Sequence, residues 1–114
     1  MANDLLKAIN LTAAPKIVCY YTTWASRRTG LAKFNPEDIN ANLCTHMVVA
    51  FATLKEGKLA AAHPDDEGSD NKKGLYDRVL DLKKKNPSLK VLLALGGWEF
   101  GTKPFNFPNP EFLI

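Results

Sequence analysis

The sequence predicts an α/β fold in which three parallel strands alternate with two helices. Three segments rich in apolar and β-branched residues, 16–22, 45–52 and 91–95, lack the alternation of a half-exposed strand. Such runs are typical of strands covered on both faces, as in a parallel sheet. A helical pattern precedes the second and the third segment, and right-handed crossovers would make the three strands parallel.

Length and composition are those of one ordinary globular domain. The chain has 114 residues, 46% of them hydrophobic, and a formal net charge of +3. It has no basic stripe with interleaved aromatic residues and no apolar run long enough for a bilayer, so we expect neither a nucleic-acid partner nor a membrane partner. We expect residues 1–15 to form a weakly structured leader, with no standard signal peptide visible, and residues 16–114 to form the folded domain.

The two expected helices differ in length. The first is short and opens at Pro36, because proline suits a first helical turn and two acids follow it. Ile39 and Leu43 are expected to face inward from it. The second covers residues 71–85, and Asp81 is expected to pair with Lys85 on its surface. Its apolar face comprises Leu75, Val79 and Leu82, broadened by Tyr76 and Leu80.

Three other segments are expected to be irregular. Residues 55–58 form a turn. Residues 63–70, HPDDEGSD, are acidic and turn-prone, but they lack the regular oxygen ligands and the distal glutamate of a calcium loop. We therefore expect a solvated loop there. In the tail, Phe105, Phe107 and Phe112 have no evident buried face within the chain.

The two cysteines, Cys19 and Cys44, each lie in or beside an expected strand. Two buried free thiols and one disulfide between neighbouring strands both fit that placement, and the residues by themselves leave the choice open. Neither cysteine has a second Cys or His at metal-ligand spacing, so we expect no metal site and no cofactor. His46, at the start of the second strand, is expected to form structural hydrogen bonds.

Aromatic residues and glycines gather at the carboxyl ends of the three strands. Trp24 follows the first strand, Phe51 lies in the second, and Gly96-Gly97-Trp98 follow the third. The carboxyl ends of parallel strands meet at one rim, where such folds place their ligands. Aromatic rings at that rim would stack on flat apolar faces such as those of sugars. The glycines lack the spacing of a nucleotide-binding loop, and a tight turn with a packed tryptophan is the alternative.

These residues, in this order, resemble the N-terminal part of family 18 glycoside hydrolases, the animal-type chitinases and their chitinase-like relatives. The motifs that carry the resemblance are CYYTTW at 19–24, Gly30, Phe34, Pro36, LCTH at 43–46, AFA at 50–52 and LGGW at 95–98. The resemblance implies that the chain supplies the first three βα units of a (β/α)8 TIM barrel, which it leaves incomplete. It also implies a Cys19–Cys44 disulfide and an extracellular, secreted origin.

A set of sugar contacts follows from the same resemblance. It implies that the partner is chitin, a β-1,4-linked N-acetylglucosamine polymer, or its oligosaccharides. The matching groove residues are Tyr20, Trp24, Phe51, Gly96, Gly97 and Trp98. Glu99 stands where the family usually has asparagine, and His63-Pro64 falls where many members carry a Glu-Trp pair. Both departures alter the sugar contacts expected on that side of the groove.

Family catalysis is substrate-assisted: a glutamate protonates the glycosidic oxygen while the substrate's own acetamido oxygen attacks the anomeric carbon. The acids lie in a DxxDxDxE motif on the fourth strand, and this sequence contains no such motif. We therefore assign no catalytic residue and expect this chain by itself not to hydrolyse chitin. The alternatives are a lectin-like binding protein and a non-functional truncated product. Uncovered barrel edges lead us to expect self-association.

Overall fold

The computed structural model describes residues 14–106, and a four-stranded sheet is its central feature. Three of its strands, β1 (Val18–Thr22), β2 (His46–Lys55) and β6 (Lys90–Leu95), run parallel, with β2 between the other two. The predicted α/β class with a parallel sheet is confirmed in this part of the chain. Most of the expected leader, and Phe107 and Phe112, lie outside the described residues.

Short elements connect the strands. These are strands β3 (Lys58–Ala61), β4 (Gly68–Ser69) and β5 (Lys72–Lys73), and helices α1 (Pro64–Glu67), α2 (Leu75–Leu80) and α3 (Leu82–Lys85). Single 3-10 turns cover Thr23–Arg27, Gly30–Ala32, Pro36–Asp38 and Lys103–Phe105. No helix within residues 14–106 is long and apolar enough to cross a membrane.

The core lies between one face of the sheet and the helices. Its buried side chains include Tyr21, Met47, Val49, Val79, Leu82 and Leu89. The predicted apolar helix face is confirmed for Leu75, Val79 and Leu82, which are all buried. Spacings of three and four residues bring these side chains to one side of the two short helices, so the sheet covers them together.

The long helix begins later than predicted. Residues 72–73 pair with residues 68–69 as the hairpin β4–β5, so the helix starts at Leu75 instead of residue 71. Leu80 is 46% exposed and does not broaden the apolar face. Asp81 forms ion pairs with Lys73 and Lys84, and the predicted pair with Lys85 is absent from the described residues. The hairpin places Lys73 within reach of Asp81 and leads to these differences.

The first predicted helix is a single 3-10 turn, Pro36–Asp38. The carboxylate of Asp38 accepts the backbone N–H of Asn35 at 2.8 Å, which fixes the start of the turn. Ile39 packs against the core as predicted, but Leu43 is 63% exposed, so its inward placement was wrong. Leu43 would have needed a continuing helix to share a face with Ile39, and the chain leaves the helical conformation at Ile39.

An antiparallel strand that the sequence reading missed extends the sheet. Residues 55–58 form the predicted turn, with positive φ angles of 53° at Glu56 and 75° at Gly57. Two such residues in succession match the turn type that closes a two-residue hairpin. The chain consequently folds back as β3 along the end of β2, pairing Lys58 with Lys55 and Ala61 with Ala52.

The second face of the sheet is open, which corrects the prediction that each strand is buried on both faces. Tyr20 pairs in register with Val48, and Val48 pairs with Leu92. Tyr20 is 63% exposed and Leu92 is 48% exposed. Side chains on a strand alternate between faces, so the neighbouring Tyr21 and Met47 occupy the covered face and are buried. We call the row of Val18, Tyr20, Val48 and Leu92 the open sheet face.

A disulfide joins Cys19 in β1 to Cys44 just before β2, with Cα atoms 6.0 Å apart. It supports the pairing that the family resemblance implied, and Cys44 is buried in the core. His46 follows at the start of β2, and its Nδ1 lies 2.7 Å from Oγ1 of Thr45, consistent with its expected structural role. The same Thr45 hydroxyl accepts the backbone N–H of Ile17 at 2.8 Å. This end of the sheet is held by one covalent link and several hydrogen bonds.

The predicted solvated loop at residues 63–70 is wrong in one important respect. Pro64–Glu67 form the helical turn α1, and the side chain of Asp66 is fully buried. Its carboxylate accepts the backbone N–H of His63 at 3.2 Å, while Nδ1 of His63 accepts the N–H of Asp65 at 3.1 Å. These reciprocal caps fold the acidic residues back against the protein.

Candidate functional site

A groove of about 740 Å³ lies at the carboxyl ends of the parallel strands. The carboxyl-terminal parts of β2 and β6 contribute to it, together with the turn after β1 and the residues between β3 and α1. Its lining residues are Thr23, Trp24, Arg27, Phe51, Ala52, Thr53, Ala62, His63, Gly96, Gly97, Trp98, Glu99 and Phe100. Carboxyl strand ends are the usual ligand position in parallel α/β folds. Six of the seven residues predicted to contact sugar lie in this groove.

Trp24 and Phe51 form one aromatic pair in the groove. Their ring centroids are 6.1 Å apart and their planes differ by 24°, which is a stacked arrangement. The 3-10 turn after β1 carries Trp24. Phe51 lies in β2 where the register to β6 shifts, and the peptide bond between Ala50 and Phe51 is cis. The pair gives the groove an apolar wall built from β2 and the turn after β1.

Gly96 and Gly97 allow the aromatic rings to approach the backbone. Both have positive φ angles, +117° and +102°. A Cβ at Gly97 would lie 2.9 Å from the ring of Phe51, and a Cβ at Gly96 would lie 2.9 Å from the ring of Phe105. Neither position therefore accepts a side chain without displacement of a ring. The pair leaves backbone surface accessible beside the aromatic wall.

Trp98 and Glu99 are exposed at the mouth of the groove. Trp98 is 99% exposed, so its ring has no cover from the described part of the chain. The Glu99 side chain is also exposed, and within residues 14–106 it makes no hydrogen bond or ion pair. An uncovered indole and an unpaired carboxylate are thus adjacent in sequence and share one groove.

Arg27 is a charged residue of the groove lining that the sequence reading did not identify, and it lies beside the buried Asp66. Nη1 of Arg27 lies 3.8 Å from Oδ1 of the buried Asp66. Burial raises the pKa of Asp66, whereas the His63 backbone N–H and the Arg27 guanidinium favour its ionised form. Arg27 could not be identified from the sequence, because its partner Asp66 is 39 residues away in a segment that looked solvated.

Two buried side-chain polar atoms have no hydrogen-bond partner among the described residues. They are Oδ1 of Asp66 and the hydroxyl of Tyr76. Burial, together with the negative charges of Asp66 and Glu67, raises the pKa of Tyr76 to about 12. The Tyr76 hydroxyl therefore stays protonated and is a hydrogen-bond donor at any physiological pH.

Tyr20 is the predicted sugar-contact residue that lies outside the groove lining. Its side chain belongs to the open sheet face, beside Val48 and Leu92 in the register of the parallel strands. Within residues 14–106, no group of three or more His, Cys, Asp or Glu side chains is arranged to hold a metal ion.

The parallel sheet and its aromatic groove define a partial α/β domain, and comparison with known proteins identifies the family. Residues 16–110 match the glycosyl hydrolases family 18, so the chain belongs to that family. Mouse (Mus musculus) chitotriosidase-1 is 45% identical over 93 residues, which cover 82% of this chain and 19% of the relative.

Two solved structures have the same local fold. The Ostrinia furnacalis Group IV chitinase is 41% identical with a TM-score of 0.75, and the match covers 86% of this chain and 27% of that one. Human YKL-39, described as a pseudo-chitinase with retained chitooligosaccharide binding, is 38% identical with a TM-score of 0.65. That match covers 80% of this chain and 23% of YKL-39. The chain thus spans about a fifth to a quarter of the length of these relatives.

Proposed function

We propose that this chain supplies part of the sugar-binding groove of a chitinase or chitinase-like protein, and that the groove binds chitin or N-acetylglucosamine oligosaccharides. The observation that carries the proposal is the uncovered Trp98 ring beside the stacked Trp24–Phe51 pair in one groove. Aromatic faces pack well against the apolar faces of sugar rings. The description of YKL-39, which combines absent catalysis with retained chitooligosaccharide binding, supports separating binding from hydrolysis in this family.

The remaining predicted residues have distinct roles in this proposal. Gly96 and Gly97 line the groove, and their backbone polar groups contact the sugar. Glu99 supplies a polar contact next to the Trp98 ring. Tyr20 contributes from the open sheet face, toward the interior of a completed barrel.

Hydrolysis belongs, in this proposal, to a complete parent protein. The parent carries out substrate-assisted, retaining cleavage of chitin, for which it needs the DxxDxDxE acids that the 114 residues do not contain. Without a proton donor, general acid catalysis and the positioning of the reacting group are both lost. The chain by itself binds and does not cleave.

Domain organisation and location follow the same proposal. Residues 1–15 are a leader, and residues 16–114 are the first three βα units of a TIM barrel. The parent is secreted, consistent with a disulfide that forms in oxidising compartments. Sugar is its partner, with no metal, cofactor, nucleic acid or membrane required.

Titration of the 114-residue chain with chitooligosaccharides tests the binding proposal. We expect tryptophan fluorescence to change on addition of sugar, and Trp98→Ala to weaken binding at least about fivefold. Loss of one stacked aromatic contact removes about 1–3 kcal/mol where stacking on flat rings has been measured, and 1.4 kcal/mol is tenfold. Absence of a wild-type response, or an unchanged affinity in Trp98→Ala, would reject the proposal.

Leu31→Ala is the matched control for this experiment. Leu31 is as exposed as Trp98 but lies outside the groove lining, so its removal should leave the affinity unchanged. An assay for released sugar, run on the same samples, separates binding from hydrolysis. Measurable chitin cleavage by the purified chain would contradict the assignment of catalysis to the parent.

A non-functional truncated product is the second candidate, and the open sheet face favours it. Val18, Tyr20 and Leu92 expose apolar surface that a folded monomeric domain ordinarily buries. In this alternative the chain self-associates and binds no sugar. The titration above distinguishes the two candidates directly.

A further inference from the structure

The charged and titratable side chains that line the groove differ in whether they have a partner in the described structure. Arg27 lines the groove but already lies beside the buried Asp66, at 3.8 Å. His63 also lines it, and its Nδ1 accepts the N–H of Asp65 at 3.1 Å and lies 3.7 Å from a carboxylate oxygen of the same residue. Glu99 is exposed and has no partner among residues 14–106. Glu99 is the acidic side chain of the described groove lining, and it follows Trp98 directly in the sequence.

A carboxylate beside an indole face suits a cation carried by a sugar ring. The carboxylate forms a charge-assisted hydrogen bond with an ammonium group. The indole face attracts the same positive charge through its quadrupole. An N-acetyl group has neither advantage, because it is uncharged and its N–H is a weaker donor. The Trp98–Glu99 pair thus favours a deacetylated amino sugar over an acetylated one.

We propose that Glu99 makes this groove selective for glucosamine units with a free ammonium group, so that its ligand class is partially deacetylated chitin. The proposal rests on the proposed sugar-binding function and specifies its ligand. Trp98 stacks on the ring and Glu99 pairs with the ammonium. Acetylated units bind the same aromatic surface without the ion pair.

Parallel titrations with fully deacetylated and fully acetylated oligomers of equal length test the inference. They are run on the 114-residue chain at a pH that keeps the glucosamine amine protonated. We expect Glu99→Gln, which keeps the shape and removes the charge, to weaken glucosamine binding by about fivefold, the upper range for an exposed ion pair. Binding of the acetylated oligomer should stay the same. Asp77→Asn, an equally exposed acid on α2 outside the groove lining, is the matched control and should alter neither.

Ionic strength provides an independent measurement. Between about 0.01 M and 1 M salt the Debye length falls from about 30 Å to about 3 Å, so the preference of the wild type for glucosamine should shrink. The acetylated oligomer should show no such salt dependence. Equal affinity of wild type and Glu99→Gln for glucosamine oligomers overturns the inference while leaving sugar binding intact. An equal loss for both oligomers also overturns it, because Glu99 would then act without charge selection. Binding of neither oligomer rejects the inference and the proposed function together.

Discussion

Replacement of Gly97 by alanine tests how the groove is built, because it adds one methyl group between the backbone and Phe51. The added Cβ would lie 2.9 Å from Cδ2 and 3.0 Å from Cε2 of the Phe51 ring. Carbon atoms in ordinary contact are about 3.5–4.0 Å apart, so the ring must retreat by roughly 0.5–1 Å. Phe51 stacks on Trp24, and its retreat disturbs that pair.

Two contributions set the expected size of the effect. Alanine at a φ of +102° is strained by about 1–3 kcal/mol, and disruption of the aromatic pair removes about 0.5–1.5 kcal/mol more. Gly101→Ala is the matched control: its φ is +73°, and a Cβ there would meet nothing within 4 Å. Gly101→Ala should therefore show backbone strain of about 1–2 kcal/mol with no effect on the aromatic wall.

The decisive assay is near-ultraviolet circular dichroism, which reports the environment of the aromatic side chains, the Trp24–Phe51 pair among them. We expect Gly97→Ala to change this spectrum and Gly101→Ala to leave it as in the wild type. Chemical denaturation of both variants gives the accompanying change in the free energy of unfolding. If Gly97→Ala kept the wild-type spectrum and matched Gly101→Ala in stability, the close approach of Phe51 to the backbone would be refuted.

Two further predictions concern the scaffold. Replacement of Cys19 and Cys44 by alanine should lower the free energy of unfolding by about 3.5 kcal/mol, the loop-closure entropy of a 25-residue separation, as measured by urea denaturation. Leu92→Lys places a charge in the centre of the open sheet face and should reduce self-association of the chain, as measured by sedimentation velocity. As a control for the disulfide prediction, reductant should destabilise the wild type and leave the variant without Cys19 and Cys44 unaffected. Leu80→Lys, an equally exposed leucine on α2, should leave self-association unchanged, and a wild-type chain that is already monomeric would contradict the second prediction.

The parallel strands and the groove residues could be predicted because their signals are local. The run at 91–95 is apolar without alternation and ends at two glycines, and it forms β6 with the groove at its end. Helical spacing was sufficient to identify the buried face of Leu75, Val79 and Leu82. The residues of the rim follow strand ends in the sequence, so the topology of a parallel sheet was enough to bring them together.

The features that the sequence reading missed depend on long-range partners. β3, with the sequence KLAA, has little strand propensity and forms because the turn at Glu56-Gly57 aligns it with β2. Asp66 is buried because its carboxylate caps its own helix and Arg27 approaches from a distant loop. The exposure of Leu92 was missed because an apolar run indicates only a preference for burial. Actual burial also needs a layer of other residues that covers the run.

The disulfide and the groove lie at opposite ends of the same strands. Cys19 stands near the start of β1 and Cys44 precedes β2, whereas Trp24, Phe51 and Trp98 follow or end their strands. The disulfide therefore holds the strands in alignment from the end opposite the groove. The side chains that line the groove, Glu99 and His63 among them, take no part in this covalent link, so their replacement leaves the anchoring of the strands the same.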